Sequence, residues 1–212
     1  MSVSRYIPAA EARVETRAGN SRFITTIGPV FSVDEAKAFI GRVRAEFADA
    51  THNVPAFVVG HGQSTVSHCH DDGEPSGTAG RPMLAVLQGS GLGDVAAVVT
   101  RYFGGTKLGT GGLVRAYGDA VREALAALPR AEKVATVTAM AEVTYPLLER
   151  ARQAVEAYGG VMLEESFAAE ITLMARFRAE HFAGFADALR ELSHGATEAI
   201  VVETNEATIM PL

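Results

Sequence analysis

The chain has 212 residues, enough for one large domain or two small ones with a genuine core. Hydrophobic residues make up 48% and charged residues 21%, which excludes a disordered chain, and no apolar run reaches the ~18–20 residues a membrane span needs. The net charge of −6 is uneven, with 14 Lys and Arg against 13 Asp and Glu in residues 1–133, but 5 against 12 in residues 134–212.

In chain order, the first 20 residues carry mixed charge without a clear period and read as a tail or edge segment. Arg22–Val30 is β-branched and apolar, a strand expected to stop at Gly28-Pro29. Ser32-Val-Asp-Glu35 fits a capping box, followed by a helical stripe of Ala36, Phe39, Ile40, Val43 and Phe47. Val54–Val59 and Val66–His70 read as strands. Pro82 suits the first turn of a short helix that turns Met83, Leu84, Val86 and Leu87 inward. Val95–Thr100 is nearly all apolar, as expected of a strand covered on both faces. The glycine-rich turn Gly104–Gly112 then opens a longer helix with Leu113, Tyr117, Val121, Leu125 and Leu128 on one side, ended by Pro129.

The second half has its own pattern. Val137, Ala139, Ala141 and Val143 alternate as in a strand, and Pro146 starts a helix that Gly159-Gly160 stops. Val161–Phe167 and Ile171–Phe177 read as a hairpin. A helix with Phe182, Phe185, Leu189 and Leu192 inward leads to the strand Ala199–Glu203. The order βαββαβ is the ferredoxin-like split arrangement. The reading is therefore an α+β or α/β two-layer fold in two domains, 1–133 and 134–212.

Two segments carry the chemistry, His68–Pro82 and Arg101–Tyr117. Each places glycine, hydroxyl and charged residues just before a helix, where free amides and the dipole favour an anion. In the second segment, Thr110 stands where a phosphate-binding P-loop needs Lys, and Val114 where a dinucleotide fingerprint needs its third Gly. What survives is a generic cradle for a phosphate-like anion at Gly109–Leu113, with Arg101, Lys107 and Arg115 nearby in sequence. Alternatively, the glycines serve tight turns and close packing. His61, His68, His70, Asp71, Asp72 and Glu74 invite a metal, but no H-E-x-x-H or paired His-Cys spacing accompanies them, so no metal or cofactor is expected. The carboxylates read first as turn-forming and helix-capping groups. Cys69, the single cysteine, excludes an intrachain disulfide and reads as a structural thiol. Tyr102, Phe103 and Tyr117 are candidate base-stacking rings, with core packing preferred for Phe103 and Tyr117. The start MSVSRYIPAA shows no basic segment followed by an apolar run, so a cytoplasmic protein is expected.

The segments Asp71–Leu84 (DDGEPSGTAGRPML) and Val98–Val121 (VVTRYFGGTKLGTGGLVRAYGDAV) closely resemble the IMPACT family, in its bacterial YigZ-like branch. Arg22-Phe23 and Ala50–Asn53 match earlier family positions, while Val54-Pro55 and Gly19-Asn20 depart from the usual Cys-Tyr and Lys-Gly. The resemblance implies a first domain similar to domain 2 of ribosomal protein S5. It implies a second that looks like a ferredoxin-like domain of elongation factor G. Eukaryotic relatives restrain a translational stress kinase by binding its activator, whereas no settled reaction belongs to the bacterial branch.

The leading expectation is thus a non-enzymatic, translation-linked regulator that contacts RNA, the ribosome or a protein partner through its first domain. The binding surface would comprise Asp71, Asp72, Glu74, Thr78, Arg81, Arg101, Tyr102, Gly104, Gly105, Lys107, Gly109, Thr110, Gly111, Gly112 and Arg115. In it Arg81, Arg101, Lys107 and Arg115 would form one basic face. The alternative is an enzyme acting on a phosphorylated small molecule, with Asp71 or Asp72 as general base and Lys107 or Arg101 stabilising charge. A third reading makes both segments purely structural.

Overall fold

The computed structural model describes residues 5–62 and 64–211 and divides into two compact units that part between Glu132 and Lys133. The first unit is built on a fully antiparallel sheet. Its strands are β2 (Ala12–Ala18), β3 (Ser21–Pro29), β4 (His52–Val59), β5 (Val66–Cys69) and β6 (Val95–Tyr102), in the order β2-β3-β6-β4-β5. A short β1 (Tyr6–Pro8) pairs separately with Arg130–Glu132. The stretch expected to be a tail or edge segment thus holds two strands. β2 alternates half-buried and exposed side chains as an edge strand does, and its polar composition masks the period. β3 does end at Pro29, with Gly28 and Pro29 still in register opposite Ala96 and Val95.

Three helices complete this unit: α1 (Val33–Glu46), α2 (Gly80–Gly89) and α3 (Gly109–Ala127). At the start of α1 the Glu35 amide donates to Ser32 Oγ at 3.1 Å, while the Glu35 carboxylate reaches back to the Phe31 amide at 2.9 Å. Period-two alternation along the strands sorts the core into two faces. Phe23, Ile27, Val54, Ala56, Ala97 and Val99 pack beneath α2 and α3. Phe57, Ala96 and Val98 point the other way, onto Ala36, Phe39, Ile40 and Val43 of α1. The first unit therefore has helices on both faces of its sheet, one layer more than a two-layer fold. This double cover is why Val95–Thr100 reads as an unbroken apolar run although every neighbour of β6 is antiparallel.

The second unit takes up β7 (Arg130–Val143) from Lys133 onward, then a 3-10 turn at Tyr145–Leu147, α4 (Leu148–Ala157), β8 (Val161–Phe167), β9 (Ile171–Arg178), α5 (Ala179–Leu192) and β10 (Ile200–Pro211) as far as Ile209, with Met210 and Pro211 grouping with the first unit. Its strands are ordered β10-β7-β9-β8. Alternate residues of β7 and β9, among them Ala141, Val143, Leu173 and Phe177, bury against Ala151, Val155, Phe185 and Leu189 of α4 and α5. Phe177 and Phe185 stack with centroids 4.2 Å apart. The last strand runs well beyond the expected Glu203.

Candidate functional site

The segment from His70 to Gly80 is organised by its carboxylates. Helix α2 begins after Ala79, which has no side-chain oxygen with which to cap it. Asp71 supplies the cap from a distance: Oδ1 accepts the amides of Gly80 at 2.8 Å and Ala79 at 3.1 Å, and Oδ2 accepts that of Gly77 at 2.7 Å. The amides of Ala79 and Gly80 are donors that a helix start otherwise leaves unsatisfied, and that of Gly77 ties the preceding turn to the same carboxylate. Burial alone pushes the Asp71 carboxyl up, but the three amides together outweigh it and hold the group below the usual carboxylate range.

Asp72 sits at φ +50° and turns the opposite way. Its Oδ2 accepts the Asn53 amide at 2.7 Å and its Oδ1 the Arg44 guanidinium at 2.8 Å. Its backbone is held by two imidazoles, since the His52 Nδ1 donates to its carbonyl at 2.7 Å and its amide donates to His70 Nδ1 at 2.9 Å. Thr78 is buried and donates to the Pro75 carbonyl. Asp71 and Asp72, the candidate general bases, therefore have their oxygens engaged within the fold.

Glu74 faces inward. Its Oε1 accepts Arg101 Nη1 at 2.5 Å and the Tyr117 hydroxyl at 2.8 Å, with His52 Nε2 3.8 Å away. Arg101 also donates to Ser21 Oγ at 3.2 Å, and its guanidinium lies 5.5 Å from the ring centroids of Phe23 and Phe103. Arg101 Nε is buried without a hydrogen-bond partner among the described residues. Burial, and then hydrogen bonding to Glu74, push the Tyr117 hydroxyl far above its ordinary range. Glu74, Arg101 and Tyr117 thus form a strut joining the 70s loop, β6 and α3. The expected basic face loses Arg101, which lies in the interior because strand alternation carries it beneath α3 with Phe23 and Val99. Phe103, expected in the core, is 46% exposed, whereas Tyr117 is fully buried.

The second segment is more open. Gly105 and Gly109 adopt positive φ, and a Cβ on Gly104 would lie 1.9 Å from the Asn20 carbonyl oxygen. These three glycines answer to backbone geometry and packing. Gly111 does not, because the nearest atom to a Cβ there is Arg115 Nη1 at 3.9 Å. Gly112 lies between, with Leu108 Cβ at 3.0 Å. Lys107, Gly109, Thr110, Gly111 and Arg115 are all exposed around the start of α3, and no acidic residue occupies its first turn. Arg81 is exposed on α2. Tyr102 is half-buried, with its hydroxyl donating to Asp49 at 2.8 Å and Arg22 lying 4.5 Å over its ring.

The remaining candidates are dispersed. His68 packs against Phe57, while His61 approaches Asp94 and the Tyr6 carbonyl. Among the described residues, no three His, Cys, Asp or Glu side chains converge as a metal would require. Cys69 is partly buried beside the core, and burial pushes its thiol up, away from the reactive thiolate. Sequence reading misses Ser21, His52 and Asn53 as partners of this network. The available signal is a charged residue continuing a doubly covered apolar strand, since such a group needs a buried counter-charge.

Profiles of two known domains match the chain: the Impact N-terminal domain over residues 19–125 and a domain of unknown function, DUF1949, over residues 142–196. An Escherichia coli (strain K12) protein described as IMPACT family member YigZ is 39% identical over 198 residues, covering 93% of this chain and 97% of its own. A Haemophilus influenzae protein described as an IMPACT family member is 37% identical, covering 94% and 98%. A crystal structure described as that of an hypothetical protein is 38% identical, covers 96% of this chain and 99% of its own, and superposes with a TM-score of 0.60.

Proposed function

Because this chain belongs to the IMPACT family, we propose that it is a non-enzymatic, translation-linked binding protein that engages RNA, the ribosome or a protein partner through its first unit. The observation that carries this reading is a division of labour among the charged residues. The carboxylates of Asp71, Asp72 and Glu74 are engaged with backbone amides, Arg44, Arg101 and Tyr117. The cations Lys107 and Arg115 stand exposed beside the start of α3, which has no side-chain cap from Leu108 and no acidic residue in its first turn. That surface favours an anionic group, such as a phosphate, without supplying a general base.

Through the family resemblance the first unit is taken as S5 domain 2-like, with α1 added on the second face. The strand order β10-β7-β9-β8 supports a ferredoxin-like second unit. No helix among the described residues is long and apolar enough to cross a membrane, which accords with a cytoplasmic protein acting on the translation apparatus. The test is sedimentation of the full chain with purified ribosomes over a range of salt. Salt-sensitive association supports contact with ribosomal phosphate, and absence of association at low salt removes the ribosomal version.

A further inference from the structure

A shallow groove of about 700 Å³ runs along the outer side of the first unit, between α2 and α3. Its floor is apolar and built largely from small residues, with Ala85 and Gly89 on one helix facing Gly118 and Ala126 on the other. Val114, 41% exposed, and Leu125 lie along the same line. The α3 lining extends from Val114 to Ala126, and at 1.5 Å per residue this spans ~18 Å, about 12 residues of a third helix. Small residues allow a helix to approach closely, and a Cβ on Gly89 would meet open space.

The charge of the groove points to one kind of occupant. Arg122 and Arg130 line it and no acidic residue does. The Arg122 guanidinium folds back over Gly118, where a Cβ would lie 3.5 Å from it. Its ion pair with Asp119 is exposed on both sides, so exchanging that partner costs little. Arg115 lies two turns before Arg122 on the same side of α3. The lining contains no aromatic ring on which an unpaired base would stack, which disfavours single-stranded RNA as the occupant.

From this geometry we infer that the α2–α3 groove is a docking site for an acidic amphipathic helix of a protein partner. Apolar side chains of that helix would enter between Ala85 and Gly118, with carboxylates meeting Arg122 and Arg130. The inference rests on the binding role proposed above and names the chemistry of one partner.

The test places a photo-crosslinking benzoylphenylalanine in the full chain at Ala126 in the groove, or at the exposed Ala45 on α1, inside living cells. The crosslinked segment is then sequenced by mass spectrometry. The expected result is capture from Ala126 of a segment with helical apolar spacing and flanking Asp or Glu. Ala85→Glu with Arg122→Glu should reduce that capture ~10-fold, as like charges oppose docking. Thermal unfolding of the variants, together with the single Arg130→Glu change, separates lost docking from lost folding. Capture of RNA, or of a basic or extended segment, from Ala126 overturns the inference and leaves the binding role standing. Capture from Ala45 alone does the same. No capture from either position overturns the inference and leaves the binding role, which lies at the start of α3, to the sedimentation test.

Discussion

Glu74 and Arg101, 27 residues apart in sequence, meet at 2.5 Å with side chains only 3% and 6% exposed. Because neither charge has water to fall back on, their value lies in being present together. Glu74→Gln or Arg101→Met alone should each cost about 3–5 kcal/mol in chemical denaturation, since each strands a buried partner. The double replacement should cost clearly less than the two single losses combined. Additive losses would show that the pair is not coupled as described. A consequence for design is that Arg101→Ala probes folding and is unsuitable as a probe of a binding surface.

The remote cap gives a pH signature. The folded Asp71 carboxyl lies below its ordinary value of 3.8, so its contribution is fully present above that pH. It fades as pH falls further, through the folded-state value. Asp71→Ala should cost ~0.5–2 kcal/mol at neutral pH, the usual worth of a helix N-cap. Its deficit relative to the parent should shrink in urea titrations carried below about pH 3.8. A deficit that stays constant into strong acid would rule out the capping role.

The glycines of the second segment separate by cause. Gly104→Ala drives a methyl into the Asn20 backbone and should destabilise the fold severely, as judged by melting temperature. Gly111→Ala meets no such obstacle and should be neutral or stabilising by up to ~1 kcal/mol through helix propensity. Equal destabilisation by both would return Gly111 to a structural role.

Much of this architecture is legible in the sequence because local signals agree. Ser32 and Glu35 mark a helix start by chemistry that operates within four residues, and the stripes of α1 and α3 follow a single period. Where the deciding contact is distant, the sequence is silent. Nothing local to Arg101 indicates Glu74, so an arginine beside two glycine-rich turns reads as a surface cation. The polar edge strand β2 is obscured for a related reason, since its period is carried by half-buried positions. The second-face helix α1 is recognisable as a helix, but the face on which it packs depends on the alternation of β4 and β6, strands that come later in the chain. Lys107 and Arg115 are found by composition because exposed residues need no partner to be identified.

The exposed start of α3 on the first unit is the surface proposed to carry the binding. It is tested most directly by sedimenting the full chain in lysate through a gradient at low and high salt. The parent should enter heavy fractions at low salt and leave them as salt rises. Lys107→Glu with Arg115→Glu should abolish this without changing the melting temperature, while Arg150→Glu with Arg190→Glu on the second unit should not. Loss of the heavy fraction only with the second-unit variant, or a parent that stays free at every salt concentration, would contradict it.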